Sequence, residues 1–452
     1  MSARGERIDD ELREVIETAL RETGTPGCAV GLAVGDRPQV EGFGLANAET
    51  GLRFTPATRI PVASMTKPYT ATAILALAEA GRLGLDDPVR AHLPGFRVAD
   101  AAAGDTVTIR HLLTHTAGWA GDRAGMKDPD ADRGDEALAR AVAGFDRAEQ
   151  VSPPGLWWSY SNSAYMVAGR VIEAVCGLPY ERAVADLVLE PLGLSESSFF
   201  VERVVAHPLA VGHVHDAAAG TFAVVRWPWA CDRATNPSGG LISTVVDQLA
   251  WARWWAGTAP GPLSADARAR ALEIAVPAGG MAEAMALGWM VDRRGDAHVA
   301  HHGGSLWGIQ TQSLFVPDRG TALVILTNAL GGLAVQRRVR EHVLARYAGL
   351  AAPSAAPGAA TATAVPAGTF RLPAIGGERR LTVRAGDDGP VVHVPGEEPG
   401  DAGQEVRMRL VSADAMEAVD EPLTGLRAEL LRDDAGRVAA LRYGGRVAPR
   451  VA

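Results

Sequence analysis

Apolar residues recur at helical spacing over residues 6–22, where Ile8, Leu12, Ile16 and Leu20 fall four apart, and a first helix is predicted there. After Gly24-Thr25-Pro26-Gly27 the pattern changes. Cys28–Val34 and Gln39–Gly44 read as two strands about a Gly35-Asp36-Arg37 turn. Tyr69 to Gly81 is rich in Ala and Leu at helical spacing, with a helix entry near Pro61. Thr106–His115 predicts a short strand running into a helix that stops at Ala117-Gly118-Trp119, and another helix is expected around 135–149. Turn-rich residues 151–162 lead to helices at Ser163–Cys176 and Tyr180–Leu189, followed by helices around 244–256 and 264–275. Trp251, Trp254 and Trp255 in the 244–256 helix read as core. Four strand signals follow, at Met285–Val291, His298–His301, Gly308–Phe315 and Ala322–Thr327, and then a helix at 333–348.

Short strands with tight connections imply antiparallel pairing. The expected fold class is therefore α+β, with a sheet drawing strands from both ends of residues 1–350 and a helical region inserted between them. Residues 351–366, AAPSAAPGAATATAVP, read as an Ala/Pro-rich linker. Residues 367–452 alternate β-like runs (Leu381–Arg384, Val391–Val394, Glu405–Leu410, Leu426–Leu431, Val438–Tyr443) with Gly/Asp turns, as expected of a small, separate β domain, barrel-like or lipocalin-like.

Composition narrows the function classes. Hydrophobic residues are 47% and charged residues 21% of the 452, an ordinary balance for a globular protein. A net charge of −9 argues against a nucleic-acid or acidic-membrane surface. Cys28, Cys176 and Cys231 are odd in number and scattered, which suggests reduced thiols. No apolar signal-peptide core and no uncharged apolar run of membrane-spanning length appears, so a cytoplasmic location is expected. The acidic positions Asp122, Asp128, Asp130 and Asp132 lack the calcium-loop register and read as a solvated lid or surface loop. His213 and His215 have no third ligand at a recognisable spacing. No metal and no cofactor is expected.

Three stretches carry candidate chemistry. Ser64 and Lys67 lie three apart at a predicted helix start, so the two side chains share a face. The chain has only two lysines, Lys67 and Lys127, and the other 44 − 2 = 42 of its Lys and Arg residues are arginines. A buried lysine can lose its proton and act as a base, whereas arginine cannot. The second stretch is Tyr160-Ser161-Asn162, where Tyr160 could be a core aromatic and Asn162 a helix cap. The third is His302-Gly303-Gly304-Ser305, which could equally be a bulge or turn. Together they supply a nucleophile, a base, a second proton carrier and backbone able to approach an oxyanion.

Ser64-Met-Thr-Lys67, Tyr160-Ser-Asn162 and His302-Gly-Gly304 resemble, in order and separation, the three motifs of the serine β-lactamase and penicillin-binding-protein-like family. His111–Gly118, Tyr160–Gly169, Glu190–Leu194 and Asn236–Leu241 extend the resemblance to roughly residues 8–348. It implies the β-lactamase/transpeptidase-like fold and an active site between the sheet and the helical region. It further implies Ser64 as the acylated nucleophile, Lys67 as its activator and Tyr160 as proton shuttle. Asn162 would bond the substrate or the lysine, and the Ser64 and Ser305 N–H groups would form the oxyanion hole. His302 replaces the lysine usual in the third motif of true β-lactamases, which argues against efficient β-lactam hydrolysis. Trp157 and Trp307 are candidates to line an apolar acyl pocket, with Trp119 and Trp158 beside the motifs as well.

The leading expectation is a serine hydrolase of a small ester or amide, of the esterase or D-amino-acid peptidase kind. The alternative is a penicillin-binding-protein-type thioesterase, a cyclase releasing a nonribosomal peptide from a carrier-protein partner. A catalytically inactive binding paralogue is the third reading. The role of the C-terminal domain stays open at this point. Arg379, Arg380, Arg446 and Arg450 read as solvated, with anion contacts the alternative if the domain caps the cleft.

Overall fold

Cys28, Val30 and Leu32 alternate with Ala29, Gly31 and Ala33 along the strand Gly27–Val34, and both sets are buried. Opposite faces of one strand therefore meet two different layers. Cys28, Val30 and Leu32 join an apolar cluster with the helices Asp10–Thr23 and Gly332–Tyr347. On the other face the side chains are small, and the helix Val245–Ala256 packs so close that a Cβ at Gly31 would stand 3.1 Å from Val245 and 3.3 Å from Leu249. The computed structural model describes residues 6–122, 132–216, 221–226, 229, 231–257, 259–352, 367–374, 377–396, 403–420 and 423–451.

Gly27–Val34 lies inside a nine-stranded sheet ordered 52–53, 37–47, 27–34, 321–327, 309–316, 297–306, 290–294, 284–285, 276–277. The neighbours pair antiparallel, with Cys28 opposite Thr327 and Val34 opposite Thr321 where the early and late strands meet. This is the expected β-lactamase/transpeptidase fold, with strands from both ends of the first region and helices between them.

Several boundaries differ from expectation for local reasons. The first helix begins at Asp10 because the Asp9 carboxylate accepts from Leu12 N–H, and it ends on left-handed Gly24. Thr106 closes a short helix begun after the Asp100 cap, instead of forming a strand. The helix expected at 135–149 is Ala137–Ala143 followed by a 3-10 turn, and Tyr180–Leu189 passes into a π turn at Ala185. Met285–Val291 is two strands, 284–285 and 290–294, interrupted where Gly288 takes a φ of +88°. Trp251, Trp254 and Trp255 pack with Trp289 and Phe315 in the core.

The C-terminal region is an eight-stranded near-barrel. Its strands lie in sequence order, and the first and last meet through a Phe370–Arg450 bridge and a Val451 N–H bond to the Thr369 carbonyl (2.8 Å). Phe370, Leu381, Val392, Met408, Met416 and Leu441 fill its core. Three of its strands, 368–374, 415–418 and 446–449, were not anticipated from the sequence pattern. Residues 353–366, most of the expected linker, and 123–131, most of the expected acidic loop, lie outside the described residues. Among the described residues no helix is long and apolar enough to cross a membrane, and no cluster could hold a metal.

Candidate active site

Ser64 sits in the 3-10 turn Ala63–Thr66, which feeds the helix Lys67–Glu79. The turn is tied on both sides. Val62 N–H donates to the Leu241 carbonyl (2.9 Å) and Thr311 Oγ1 donates to the Val62 carbonyl (2.8 Å). Thr66 Oγ1 donates to the Ala63 carbonyl (2.7 Å) and accepts from Leu241 N–H (3.0 Å). Those bonds hold Ala63 at φ +51°, a left-handed conformation costing about 1–2 kcal/mol in a residue with a Cβ. Among the described residues the other non-glycine positions with positive φ are His115 and Trp307. Both adjoin the other two motifs.

Lys67 is fully buried. Its Nζ lies 3.1 Å from Ser64 Oγ, 2.7 Å from Asn162 Oδ1 and 2.6 Å from the Ser238 carbonyl. Burial, and next the charge of Arg446, push its proton affinity well below that of an ordinary lysine, while Asp122 and Cys231 oppose the shift. In the neutral amine, Asn162 Oδ1 and the Ser238 carbonyl can only accept, so they take the two N–H groups. The remaining lone pair then faces the Ser64 hydroxyl.

Asn162 is not the helix cap. Ser161 caps the helix Asn162–Cys176 by accepting from Ala164 N–H, which leaves the Asn162 amide free for the site. Its Nδ2 donates to Asp122 Oδ1 (2.7 Å), and because a carboxylate only accepts, its Oδ1 is committed to Lys67. The Tyr160 hydroxyl hydrogen-bonds Ser64, and burial makes it a far weaker acid than a free phenol, pushing its pKa well up. Behind Tyr160, the His115 ring packs at 4.5 Å, while its Nδ1 accepts from Ser161 N–H (3.0 Å). Burial, with Lys67 nearby, keeps His115 neutral.

The third motif is not a turn. The strand Ala297–Leu306 runs straight through it. Gly304 is required by close approach, since a Cβ there would stand 2.3 Å from the Val62 carbonyl, one residue before the Ser64 turn. His302 is buried, with its ring 6.3 Å from that of Tyr160. Its Nδ1 donates to the Gly303 carbonyl (2.7 Å), and burial followed by Lys67 pushes its pKa down to about 3. It is thus a neutral imidazole with Nε2 as an acceptor. Trp307 and Gly308 form a two-residue turn with φ +36° and +76°, flanked by the pair Leu306 and Ile309. Antiparallel alternation makes Ser305 and Gln310 a non-hydrogen-bonded pair. Ser305 N–H therefore points away from the 309–316 strand, toward a sheet edge left open because 290–294 pairs only with residues 297–301.

The structure thus gathers Ser64, Lys67, Tyr160 and Asn162 into one hydrogen-bonded group, with His302, Gly303, Gly304 and Ser305 on the strand beside it. Trp119 belongs to the core and Trp158 packs under Tyr160. Trp157 and Trp307 are half-buried and stand outside the apolar clusters. His213 is structural, its Nε2 accepting from Ala48 N–H (3.1 Å).

Sequence reasoning missed three participants. Ser238 lies in the Asn236–Leu241 stretch already noted, so its signal was available. Asp122 was read as part of a solvated acidic loop, and Arg446 as a solvated arginine of a separate domain. Both readings are corrected: the two form an ion pair beside Asn162, with Arg446 Nε 2.5 Å from Asp122 Oδ2. Arg380 and Arg450 do lie at the surface, Arg380 beside Glu378 (3.2 Å) and Arg450 on the Ala367 carbonyl (3.2 Å).

A sequence profile of the family described as Beta-lactamase matches residues 12–347. The chain belongs to the beta-lactamase family. Among curated relatives, Penicillin-binding protein 4 of Amycolatopsis lactamdurans is 33% identical over 328 residues, 70% of this chain and 84% of that protein. Among solved structures, SurE is 27% identical with a TM-score of 0.74, covering 98% of this chain and 99% of its own; it has also been solved with D-Leu. The octameric penicillin-binding protein homologue from Pyrococcus abyssi shares the fold over 98% of this chain and 99% of its own, with a TM-score of 0.65 at 23% identity.

Proposed function

We propose that this member of the beta-lactamase family is a serine hydrolase that forms an acyl-enzyme at Ser64 and cleaves an ester or amide of a small molecule or peptide. The observation that carries this reading is the aim of the Lys67 lone pair at Ser64 Oγ, fixed by two acceptor-only partners. Ser64 Oγ attacks the acyl carbonyl as its proton passes to Lys67 Nζ. The carbonyl oxygen gains the negative charge and is met by the N–H groups of Ser64 and Ser305. Collapse of the adduct breaks the bond to the leaving group, which takes a proton from the Tyr160 hydroxyl, and Lys67 returns a proton to Tyr160. Water then attacks the acyl-Ser64 ester, releasing the acid and restoring the Ser64 hydroxyl. No metal enters this sequence of steps.

With His302 neutral, the third motif itself supplies no lysine-like charge for a substrate carboxylate, so cephalosporin turnover is expected to be slow. A second reading is favoured by the SurE likeness, which extends over both regions of the chain, SurE having also been solved with D-Leu. In that reading an amine within the substrate replaces water, and the protein is a cytoplasmic cyclase releasing a peptide from a carrier-protein thioester. Turnover with a p-nitrophenyl ester, a chromogenic cephalosporin and a D-configured peptidyl thioester mimic separates the two. Fast ester hydrolysis supports the hydrolase. Cyclic product from the thioester, with slow ester hydrolysis, replaces it with the cyclase.

A further inference from the structure

Among the described residues the C-terminal near-barrel touches the site through one hairpin, the strands Val438–Tyr443 and Arg446–Pro449 joined at Gly444-Gly445. Its tip grips the segment that carries Tyr160. The Gly445 carbonyl accepts from Tyr160 N–H (2.8 Å), and Val447 N–H donates to Ser159 Oγ (3.1 Å). Gly445 sits at φ +78°, and a Cβ there would meet Met281 Sδ at 2.3 Å and the Trp158 ring at 3.1 Å, so the approach needs glycine. One residue on, the Arg446 guanidinium lies 5.3 Å from the Tyr160 ring centre and holds Asp122 through both carboxylate oxygens, at 2.5 and 3.1 Å. Asp122 in turn accepts from Asn162, and Asn162 accepts from Lys67, at 2.7 Å each. A continuous polar chain therefore runs from the second domain to the lysine that faces Ser64.

We propose that this hairpin tip completes the active site, with Arg446 acting through Asp122 and Asn162 as a positioning residue for Lys67. The inference rests on the reading of Ser64 and Lys67 as nucleophile and base. Without Arg446 the Asp122 carboxylate is free to leave Asn162, and the Asn162 amide is free to rotate. The Lys67 lone pair then has no fixed direction. The same pair also sets the charge around Lys67. Arg446 disfavours the ammonium form and Asp122 favours it, while Asp122 itself, against the cost of burial, is held ionised by Arg446 and Asn162. Among the described residues the other titratable groups around Lys67 are Tyr160, Tyr165, Cys231, His115 and His302, all kept neutral by burial.

The two-lysine composition makes a direct test possible. Protein labelled with 13C-lysine gives two side-chain signals, and Lys127→Arg assigns them. The Lys67 signal is titrated in the wild type, in Arg446→Gln and in Asp122→Asn, alongside the pH dependence of Ser64 acylation by a p-nitrophenyl ester. Arg446→Gln removes a cation, so the Lys67 midpoint and the acidic limb of acylation both move up by about one pH unit. Asp122→Asn removes an anion, and both move down. Acylation slows about tenfold or more in each, through kcat more than KM. Arg446→Lys, which keeps the charge, brings the midpoint back toward wild type. Unchanged midpoints and rates in both folded variants would overturn the proposal and leave the hairpin a docking contact. Midpoints that move as expected in a protein whose Ser64 is never acylated would overturn the hydrolase reading instead.

Discussion

The neighbours of Lys67 hold its amine in one geometry. Three acceptors or hydroxyls surround one amine, two of them unable to donate, and Lys67 is 0% exposed. A guanidinium in its place stays charged at every working pH and offers no lone pair. Lys67→Met should therefore lower kcat/KM for ester hydrolysis by about 10²–10⁴ and abolish Ser64 labelling by a fluorophosphonate, with the fold retained by circular dichroism. Lys67→Arg should not rescue it. Wild-type-like labelling in Lys67→Met would remove lysine from the role of base. At this scale much was legible in the sequence. The rarity of lysine marked position 67 and the i,i+3 spacing marked Ser64, while Tyr160 and Asn162 were singled out through the resemblance to the family's motifs. Asp122 and Arg446 were not legible, because an ion pair between residues 324 positions apart leaves no local pattern. His115 falls in the His111–Gly118 stretch that carries part of the resemblance, but its packing against Tyr160 left no mark in the sequence.

At the scale of elements, the site is assembled by the ends of helices and the edge of a strand. Ser161 caps one helix so that Asn162 need not, and the Ala297–Leu306 strand carries its glycine against Val62. The helix Asn162–Cys176 also holds an internal titratable group. Glu173 accepts from Tyr180 N–H (3.1 Å) across the turn to the next helix, and burial pushes its pKa up to about 7, only partly offset by that bond and by Arg170. The unfolded value is 4.5, so between 4.5 and 7 the folded chain binds more protons than the unfolded one. Stability falls as pH rises through that window, and the full penalty, on the order of 2–3 kcal/mol, applies above it. Glu173→Gln keeps an acceptor for Tyr180 and removes the charge. Its melting temperature should exceed that of the wild type at pH 8 and show no gain at pH 4; equal melting temperatures at both would contradict the assignment. The periodicity announced this helix clearly. It could not announce that residue 173 faces inward, since a glutamate near a helix end is normally solvated.

Across the whole molecule, the two regions are joined where the chemistry lies. Arg371 bonds Glu149 (2.5 Å), and Arg442 donates to the Trp158 carbonyl (3.1 Å) while pairing with Glu429 (2.5 Å). Arg442 is 8% exposed, so its removal strands a carbonyl and a carboxylate in a largely closed interface. Arg442→Ala should destabilise the protein by about 2–4 kcal/mol in denaturant unfolding, and should slow acylation because Trp158 lies under Tyr160. A midpoint and rate unchanged from wild type would show that the interface carries no load there. The α+β character of the first region and the β-rich C-terminal region were readable from the alternation of strands and helices. The role of the C-terminal domain was not, because its β pattern indicates a small β domain and says nothing about where a hairpin tip will land.

The proposed acylation of Ser64 through Lys67 leaves a covalent mark that can be caught. Intact-mass spectrometry of the protein quenched in acid during turnover of a p-nitrophenyl ester tests it most directly. One acyl adduct on the wild type, mapped to the peptide containing Ser64 and absent from Ser64→Ala, is the predicted result. A folded wild-type protein that carries no adduct, or carries it equally after Ser64→Ala, would contradict the account.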